Sequence, residues 1–172
     1  MISIAIIIPV CNNAETISDV ISSVKRYKEP IIVIDDGSTD GTGDILCNTD
    51  GIQLIQFDRN RGKGAALKAG FHLATKSGFT HAITVDADGQ HLPEDIGLLI
   101  KCINEDPEAL WTGERSGDGH YPLSYSFGNW ICRFWCYLST GLTLKDPLCG
   151  FRAYPLEYVN NLQYRTGDRF EF

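Results

Sequence analysis

Long apolar runs are missing from this chain of 172 residues. No run of about 20 apolar residues occurs, so no segment is predicted to span a membrane. Residues 2–10 are mostly apolar, but this run is short and lacks a basic flank, so we expect no signal peptide.

Positive charge is also in deficit, with a net charge of −7 at pH 7. Non-specific nucleic-acid binding needs a basic surface, so nucleic acid is not a predicted partner, and an anionic substrate must meet local positive charge.

Paired cysteines are missing as well. The six cysteines contain no CxxC pair and no partners at zinc-ligand spacing. We therefore predict reduced, mostly buried cysteines in a cytoplasmic protein. No repeat or low-complexity tract occurs. A hydrophobic content of 43% with 22% charged residues is typical of a globular domain.

The chain does contain short β-branched apolar runs that alternate with segments of helical periodicity. This alternation predicts an α/β fold with a mostly parallel sheet flanked by helices, the first strands being buried on both faces. Strands are predicted at residues 4–10, 31–34, 52–57, 79–85 and 109–112. Helices are predicted at residues 14–27, 44–48, 63–76 and 124–138, with one more that begins at residues 92–93.

Two carboxylates follow the fourth predicted strand, in residues 86–91, which read DADGQH. In an extended segment Asp86 and Asp88 point to the same side. The carboxyl ends of parallel strands are where open α/β sheets bind ligands. Hard oxygen ligands suit Mg²⁺ or Mn²⁺ that holds a diphosphate. The alternative is a polar turn, since Asp and Gly are frequent turn residues.

Two further polar segments have both a functional and a structural interpretation. Residues 35–40 (DDGSTD) follow the second strand. Asp35 and Asp36 are candidates to accept hydrogen bonds from a ribose or a base, and the alternative is a turn in which Ser38, Thr39 or Asp40 caps a helix. Lys63 lies between two glycines at a helix start, a position that favours an anion. This segment is not a Walker P-loop, and a solvated lysine on a packed helix is the alternative.

The second half of the chain carries an unusually aromatic segment and an isolated carboxylate. Residues 124–138 include Phe127, Trp130, Phe134 and Trp135, which indicates either core packing or a helix at a membrane or oligomer interface. Asp146 precedes a proline, so it lies in a turn or extended segment. It is either a helix cap or a functional carboxylate.

Taken in order, these segments resemble family 2 glycosyltransferases of the GT-A fold, over nearly the whole chain. The nearest branch is the polyprenyl-phosphate sugar transferases, similar to dolichyl-phosphate mannosyl- and glucosyltransferases. The resemblance rests on residues 8–17 (IPVCNNAETI), 35–40 (DDGSTD), 60–67 (NRGKGAAL), 86–91 (DADGQH) and 146–153 (DPLCGFRA).

The resemblance implies a set of donor residues. The nucleotide of a UDP- or GDP-linked sugar is expected to contact Pro9, Val10, Asn12, Glu15, Asp36, Lys63, Asp86 and Ala87. Asp86 and Asp88 match the family's DxD motif for Mg²⁺ or Mn²⁺, and Gln90 matches a further metal ligand. Cys11 and Asn13 stand where the family usually has a tyrosine and an acidic residue.

The resemblance also implies an acceptor side. Arg115 matches a residue that meets phosphate, and Asp146 matches an acidic residue near sugar and acceptor. Arg152 is expected to add positive charge there, and Arg169 and Glu171 match the family's aromatic-acidic segment. An ionised lipid phosphate needs little general-base help, whereas a hydroxyl acceptor would make Asp146 the base candidate.

The implied function is metal-dependent, inverting sugar transfer to a polyprenyl phosphate or a similar acceptor, at or near the cytoplasmic face of a membrane. One domain is expected at 1–172, with a nucleotide-binding half at 1–91 and an acceptor-side half at 92–172. Family members usually continue further, so the acceptor half is expected to be truncated, and an oligomer is compatible with the sequence. The alternative is a non-catalytic sugar-nucleotide-binding domain or fragment. A nucleotidyltransferase would carry a basic glycine-rich loop after the first strand, and residues 12–15 (NNAE) are not one.

Overall fold

The computed structural model describes residues 1–89, 93–114 and 123–161, but not the side chains of residues 93, 94, 123–129 and 160. The strands are β1 (Ile4–Val10), β2 (Ile31–Asp35), β3 (Gln53–Gln56), β4 (His81–Thr84), β5 (Trp111–Thr112) and β6 (Arg152–Pro155). The helices are α1 (Ile17–Lys25), α2 (Thr42–Cys47), α3 (Lys63–Lys76), α4 (Pro93–Glu105), α5 (Leu123–Thr140) and α6 (Leu156–Asn161).

These strands form one six-stranded sheet in the order β3-β2-β1-β4-β6-β5. The pairs β1–β2, β1–β4 and β2–β3 are parallel, whereas β6 is antiparallel to both β4 and β5. The chain runs outward from β1 to β3 and then returns to place β4 on the other side of β1. This reversal creates a crevice at the carboxyl ends of β1 and β4, the usual ligand site of open α/β sheets.

The alternating side chains of β1 enter two separate hydrophobic layers. Ile6 and Ile8 pack with α1 and α4, whereas Ile7 packs with α3 and α6 on the opposite face. Such double burial explains why β1 and β2 are continuously apolar. Helix α3 approaches its face closely because Gly70 has no side chain. A Cβ atom there would lie 2.7 Å from Ile7 Cγ2 and 2.8 Å from Ile34 Cδ1.

The expected fold class is confirmed, with β1–β5 and α1–α5 near their predicted positions. Helix α1 begins at Ile17 rather than at residue 14, and β5 has only two residues. The antiparallel strand β6 was not predicted. Its sequence, RAYP, is short, begins with an arginine and ends in a proline, so it shows little strand pattern.

One expectation about burial needs correction, and one of the two interpretations of the aromatic segment is excluded. All six cysteines are free, but only Cys149 is buried, and Cys47 is exposed. Within the described part of α5 the aromatic side chains are exposed, with Trp130 at 62% and Trp135 at 58%, so core packing does not explain them. Within the described residues no helix is both long enough and apolar enough to cross a membrane.

Candidate active site

A cavity of about 590 Å³ opens at the carboxyl ends of β1, β2 and β4. Its volume is within the usual range for small-molecule sites. The cavity lies at the point where the strand order reverses. It is lined by Pro9, Val10, Cys11, Asn13, Asp36, Asn60, Gly62, Lys63, Ala66, Asp86, Ala87 and Asp88.

The turn after β1 is tied to the turn after β2 by several hydrogen bonds. The backbone N–H of Asn12 donates to Ser38 Oγ at 2.9 Å, and its Oδ1 accepts from the backbone N–H of Thr39 at 2.8 Å. Asn12 has a φ of 55°, a left-handed conformation that asparagine tolerates better than most residues. Asp40 Oδ2 accepts from the backbone N–H of Ala14 at 3.0 Å. Asn12 therefore shapes the wall of the cavity without lining it.

Asp36 joins the β2 turn to the start of α3. Its carboxylate is buried and accepts the backbone N–H groups of Arg61 at 2.7 Å and of Gly62 at 2.9 Å. Gly37 permits this contact, because a Cβ atom there would lie 2.3 Å from the backbone carbon of Arg59. The neighbouring Asp35 faces elsewhere and accepts from the backbone N–H of Ser38 at 3.0 Å. Only Asp36 of this pair lines the cavity.

Asp86 and Asp88 both line the cavity, but not through an extended segment as expected. Strand β4 ends at Thr84, and the chain turns at Ala87 and Asp88. The Asp86 side chain is 20% exposed and forms an ion pair with the Lys63 ammonium group, while Asp88 is exposed to solvent. Lys63 is the first residue of α3. Its positive charge and the positive end of the helix dipole therefore face the carboxylates.

The loop that precedes β6 packs against Asp86. Thr84 Oγ1 donates to the carbonyl of Gly150 at 2.6 Å, which fastens this loop to the end of β4. A Cβ atom at Gly150 would lie 2.3 Å from Asp86 Oδ2. Asp146, in the same loop, is buried, and its Oδ1 accepts from the backbone N–H of Leu148 at 3.3 Å. Asp146 does not line the cavity, although its loop contacts a residue that does.

The expectation for Arg152 requires correction. Its guanidinium does not face the cavity but donates to the carbonyls of Pro147 at 2.6 Å and Cys149 at 2.8 Å. A third contact reaches the Tyr154 hydroxyl at 3.4 Å. Tyr154 is buried, and desolvation raises its pKa while the neighbouring Arg152 partly opposes that shift. Arg152 is therefore bound within its own loop and does not supply an open charge for phosphate.

The structure brings together seven of the predicted site residues, namely Pro9, Val10, Asp36, Lys63, Asp86, Ala87 and Asp88. Asn12, Glu15 and Asp146 do not line the cavity, and Glu15 is exposed. Gln90, Arg115, Arg169 and Glu171 lie outside the described residues. The prediction omitted Cys11, Asn13, Asn60, Gly62 and Ala66, although each belongs to a segment that carries the resemblance.

The carboxylates of Asp86 and Asp88 provide some of the ligands that a hard divalent cation needs. Carboxylates are the ligands that Mg²⁺ and Mn²⁺ prefer, and both Asp86 and Asp88 line the cavity. Among the described residues no group of three or more His, Cys, Asp or Glu side chains has metal-binding geometry. Mg²⁺ usually keeps several waters and substrate phosphates as ligands, so two carboxylates are a sufficient protein contribution.

Comparison with known proteins shows the family. The profile described as Glycosyl transferase family 2 matches residues 5–161. The chain is 30% identical over 172 residues to UDP-N-acetylglucosamine–dolichyl-phosphate N-acetylglucosaminyltransferase of Methanococcus voltae, covering 88% of this chain and 68% of that one. It is 28% identical over 179 residues to polyprenol monophosphomannose synthase of Mycolicibacterium smegmatis. That match covers 95% of this chain and 65% of the other protein.

A solved structure shows the same fold. Glucosyl-3-phosphoglycerate synthase of Mycobacterium tuberculosis, crystallised with Mn²⁺, UDP and phosphoglyceric acid, superposes with a TM-score of 0.73 and 22% identity. The match covers 96% of this chain and 60% of that chain. The chain belongs to glycosyl transferase family 2, and the resemblance to polyprenyl-phosphate sugar transferases is confirmed. It spans about two thirds of the length of the curated relatives named above.

Proposed function

We propose that the chain binds a nucleoside-diphosphate sugar with Mg²⁺ or Mn²⁺ and transfers the sugar, with inversion, to a polyprenyl phosphate or a similar acceptor. One observation supports the proposed binding of the nucleoside-diphosphate sugar. Lys63 and the pair Asp86 and Asp88 line one cavity at the switch point of the sheet. A single lysine with two carboxylates suits a diphosphate that arrives with its own divalent cation.

The proposed binding roles follow from positions in the cavity. Asp86 and Asp88 would hold the cation, with Gln90 as a further ligand. Lys63 and the first turn of α3 would meet the diphosphate, because an ammonium group and a helix N-terminus both favour an anion. The nucleoside would lie against the ends of β1 and β2, with Pro9, Val10, Ala87 and Asp36 as contacts. Asn12 and Glu15 would act through the shape of the β1 turn.

The chemistry requires stabilisation of a leaving diphosphate. A divalent cation supplies part of that charge neutralisation when bound. Lys63 adds a positive charge from the chain itself, and the buried turns around Asp36 fix the position of α3 before the donor binds. A lipid phosphate is already ionised at pH 7, so orientation contributes more than proton removal. Asp146, and Arg115 in the acceptor half, are proposed to act on the acceptor side.

The proposed acceptor follows from the relatives, whose names specify dolichyl phosphate and polyprenol. An acceptor of this kind lies in a membrane. The exposed aromatic residues of α5 would then contact the lipid surface as a peripheral interface, at the cytoplasmic face, since aromatic side chains favour such boundaries. The division into a donor half at 1–91 and an acceptor half at 92–172 belongs to the same proposal.

Calorimetry with UDP-linked and GDP-linked sugars, with and without Mn²⁺, tests the donor part. We expect Mn²⁺ to raise the affinity of the chain for either the UDP-linked or the GDP-linked sugar. The Asp88→Ala variant should lose this Mn²⁺-dependent increase in affinity. Asp50→Ala, which replaces an exposed carboxylate remote from the cavity, is the matched control. Equal affinity with and without metal in the unmodified chain would refute the metal assignment.

Transfer to a short polyprenyl phosphate tests the catalytic part separately. Product formation that requires Lys63 and Asp88 supports the enzyme. Tight, metal-dependent donor binding without any transfer by the folded chain supports the alternative, a sugar-nucleotide-binding domain. A donor that binds the folded state also raises its thermal stability, which confirms occupancy in the same samples.

A further inference from the structure

The loop that contains Gly150 leaves no space beside the carboxylate of Asp86. A Cβ atom at Gly150 would lie 2.3 Å from Asp86 Oδ2, 2.6 Å from Oδ1 and 2.8 Å from Cγ. The loop backbone therefore limits where this carboxylate can lie. We propose that Arg152 and Gly150 are positioning residues that hold Asp86 in the orientation needed for the divalent cation. This inference rests on the proposed function of Asp86 as a metal ligand.

Arg152, which does not line the cavity, holds the loop by two hydrogen bonds. Its Nε donates to the Cys149 carbonyl at 2.8 Å, and its Nη2 donates to the Pro147 carbonyl at 2.6 Å. One planar guanidinium thus spans the two carbonyls on either side of Leu148. Lysine carries one ammonium group on a flexible stem and does not reproduce this rigid fork. The segment from Pro147 to Gly150 is consequently held as one unit against β6.

The same unit is attached to β4, the strand that precedes Asp86. Thr84 Oγ1 donates to the Gly150 carbonyl at 2.6 Å, and Thr84 lies two residues before Asp86. In the register of β4 and β6, Thr84 is paired with Arg152 itself. The Asp86 carboxylate, the Thr84 hydroxyl and Gly150 are therefore connected, through the end of the β4–β6 pair, to the guanidinium of Arg152. Partners of metal ligands orient those ligands and tune the metal site.

Gly150 acts by its lack of a side chain rather than by an unusual backbone conformation. It is not among the glycines with positive φ, so alanine is compatible with its backbone. An added methyl group would instead push the Asp86 carboxylate away, since no real Cβ contact is as short as 2.3 Å. Gly150→Ala is thus a selective way to displace Asp86 while its charge is retained.

Two variants and two matched controls test this role. The variants are Arg152→Lys and Gly150→Ala. Lys145→Ala is the first control, because Lys145 is on the same connection but pairs with the exposed Glu114 at 3.0 Å. Gly97→Ala is the second, because a Cβ atom on α4 would meet only Tyr27 at an ordinary 3.4 Å. UDP affinity is measured calorimetrically with and without Mn²⁺, together with thermal unfolding.

We expect both variants to bind UDP without metal as the unmodified chain does, and to lose roughly 10-fold or more of the Mn²⁺-dependent gain, the usual cost of removing a partner of a metal ligand. Both controls should retain that gain. Loss of UDP affinity with and without metal alike would indicate a general structural defect and overturn the proposal, as would an unchanged Mn²⁺ gain in Arg152→Lys. If the unmodified chain shows no Mn²⁺-dependent UDP binding, the proposed function itself fails.

Discussion

The ammonium group of Lys63 contacts the carboxylate of Asp86, and both residues line the cavity. The two residues come from different elements, since Lys63 begins α3 and Asp86 follows β4. This ion pair offsets the negative charge of the carboxylate. A divalent cation at Asp86 would compete with this ion pair, and a diphosphate would offer Lys63 a new anionic partner. Lys63 is therefore expected to oppose metal binding alone and to favour binding of metal and diphosphate together.

Replacing Lys63 by methionine separates these two effects. Without nucleotide, Lys63→Met should bind Mn²⁺ more tightly, because Asp86 loses its competing charge. With Mn²⁺ present, UDP affinity should fall about 10-fold, the size of one lost charge-assisted contact of about 1.5 kcal/mol. Electron paramagnetic resonance of Mn²⁺ and calorimetry with UDP measure the two quantities. Lys76→Met, at the other end of α3, is the control. Weaker Mn²⁺ binding in Lys63→Met would show that the ion pair does not compete with the metal.

The elements around the cavity were more predictable from the sequence than the contacts between them. Strands β1 and β2 were predictable because burial on both faces leaves only apolar residues. The partners of Asp36 were not, because the backbone N–H groups of Arg61 and Gly62 leave no signature in residue identity. Arg152 was misassigned for a related reason. Charge alone suggests phosphate, whereas two nearby carbonyls decide where the guanidinium lies.

Asp36→Asn should destabilise the fold as well as the site. The buried carboxylate accepts two backbone N–H groups, and an amide nitrogen in place of one oxygen would face a donor. Hydrogen bonds to charged groups contribute about 1.5–3 kcal/mol each, so a loss of roughly 2 kcal/mol is expected. Urea denaturation measures the free energy of unfolding, with the exposed Asp58→Asn as control. A change below about 0.5 kcal/mol, the usual surface value, would contradict this account.

Gly70→Ala should destabilise the packing of α3 on the sheet. The new methyl group would lie 2.7 Å from Ile7 and 2.8 Å from Ile34, both fully buried. Overpacking of this kind costs about 1–3 kcal/mol, which exceeds the gain of up to about 1 kcal/mol from replacing glycine by alanine in a helix. Gly97→Ala on α4 has the same propensity gain without the short contacts. Comparison of the two unfolding free energies checks the prediction, and equal values would show that α3 moves to accept the methyl group.

Asp40 should give the fold an acid-sensitive contribution. The Thr42 hydroxyl and the Ala14 backbone N–H donate to this carboxylate and hold its pKa below the ordinary value of 3.8. A depressed pKa in the folded state stabilises the protein above the unfolded pKa, and that contribution disappears as pH falls through the folded pKa. The difference in unfolding free energy between the unmodified chain and Asp40→Asn should therefore be constant near neutral pH and shrink below pH 3.8. Denaturation curves across this pH range measure it, and a difference that is independent of pH would contradict the prediction.

The aromatic face of α5 gives the proposed membrane contact its clearest test. Trp130, Phe134 and Trp135 are exposed by 62%, 52% and 58%, and the rings of Trp130 and Phe134 stack at 6.3 Å. Zwitterionic vesicles are the suitable probe, because a protein with net charge −7 is repelled by anionic lipid. A Trp130→Ser, Trp135→Ser double variant should lose roughly 10-fold or more in vesicle affinity in a flotation assay, since each buried aromatic side chain contributes about 1.5–3 kcal/mol.

Leu98→Ser on α4, which is 58% exposed, is the control for a lost surface hydrophobe. Unchanged flotation of the double variant would refute the membrane contact, and a dimer that dissociates in the same variant would identify α5 as a contact between two copies of the chain.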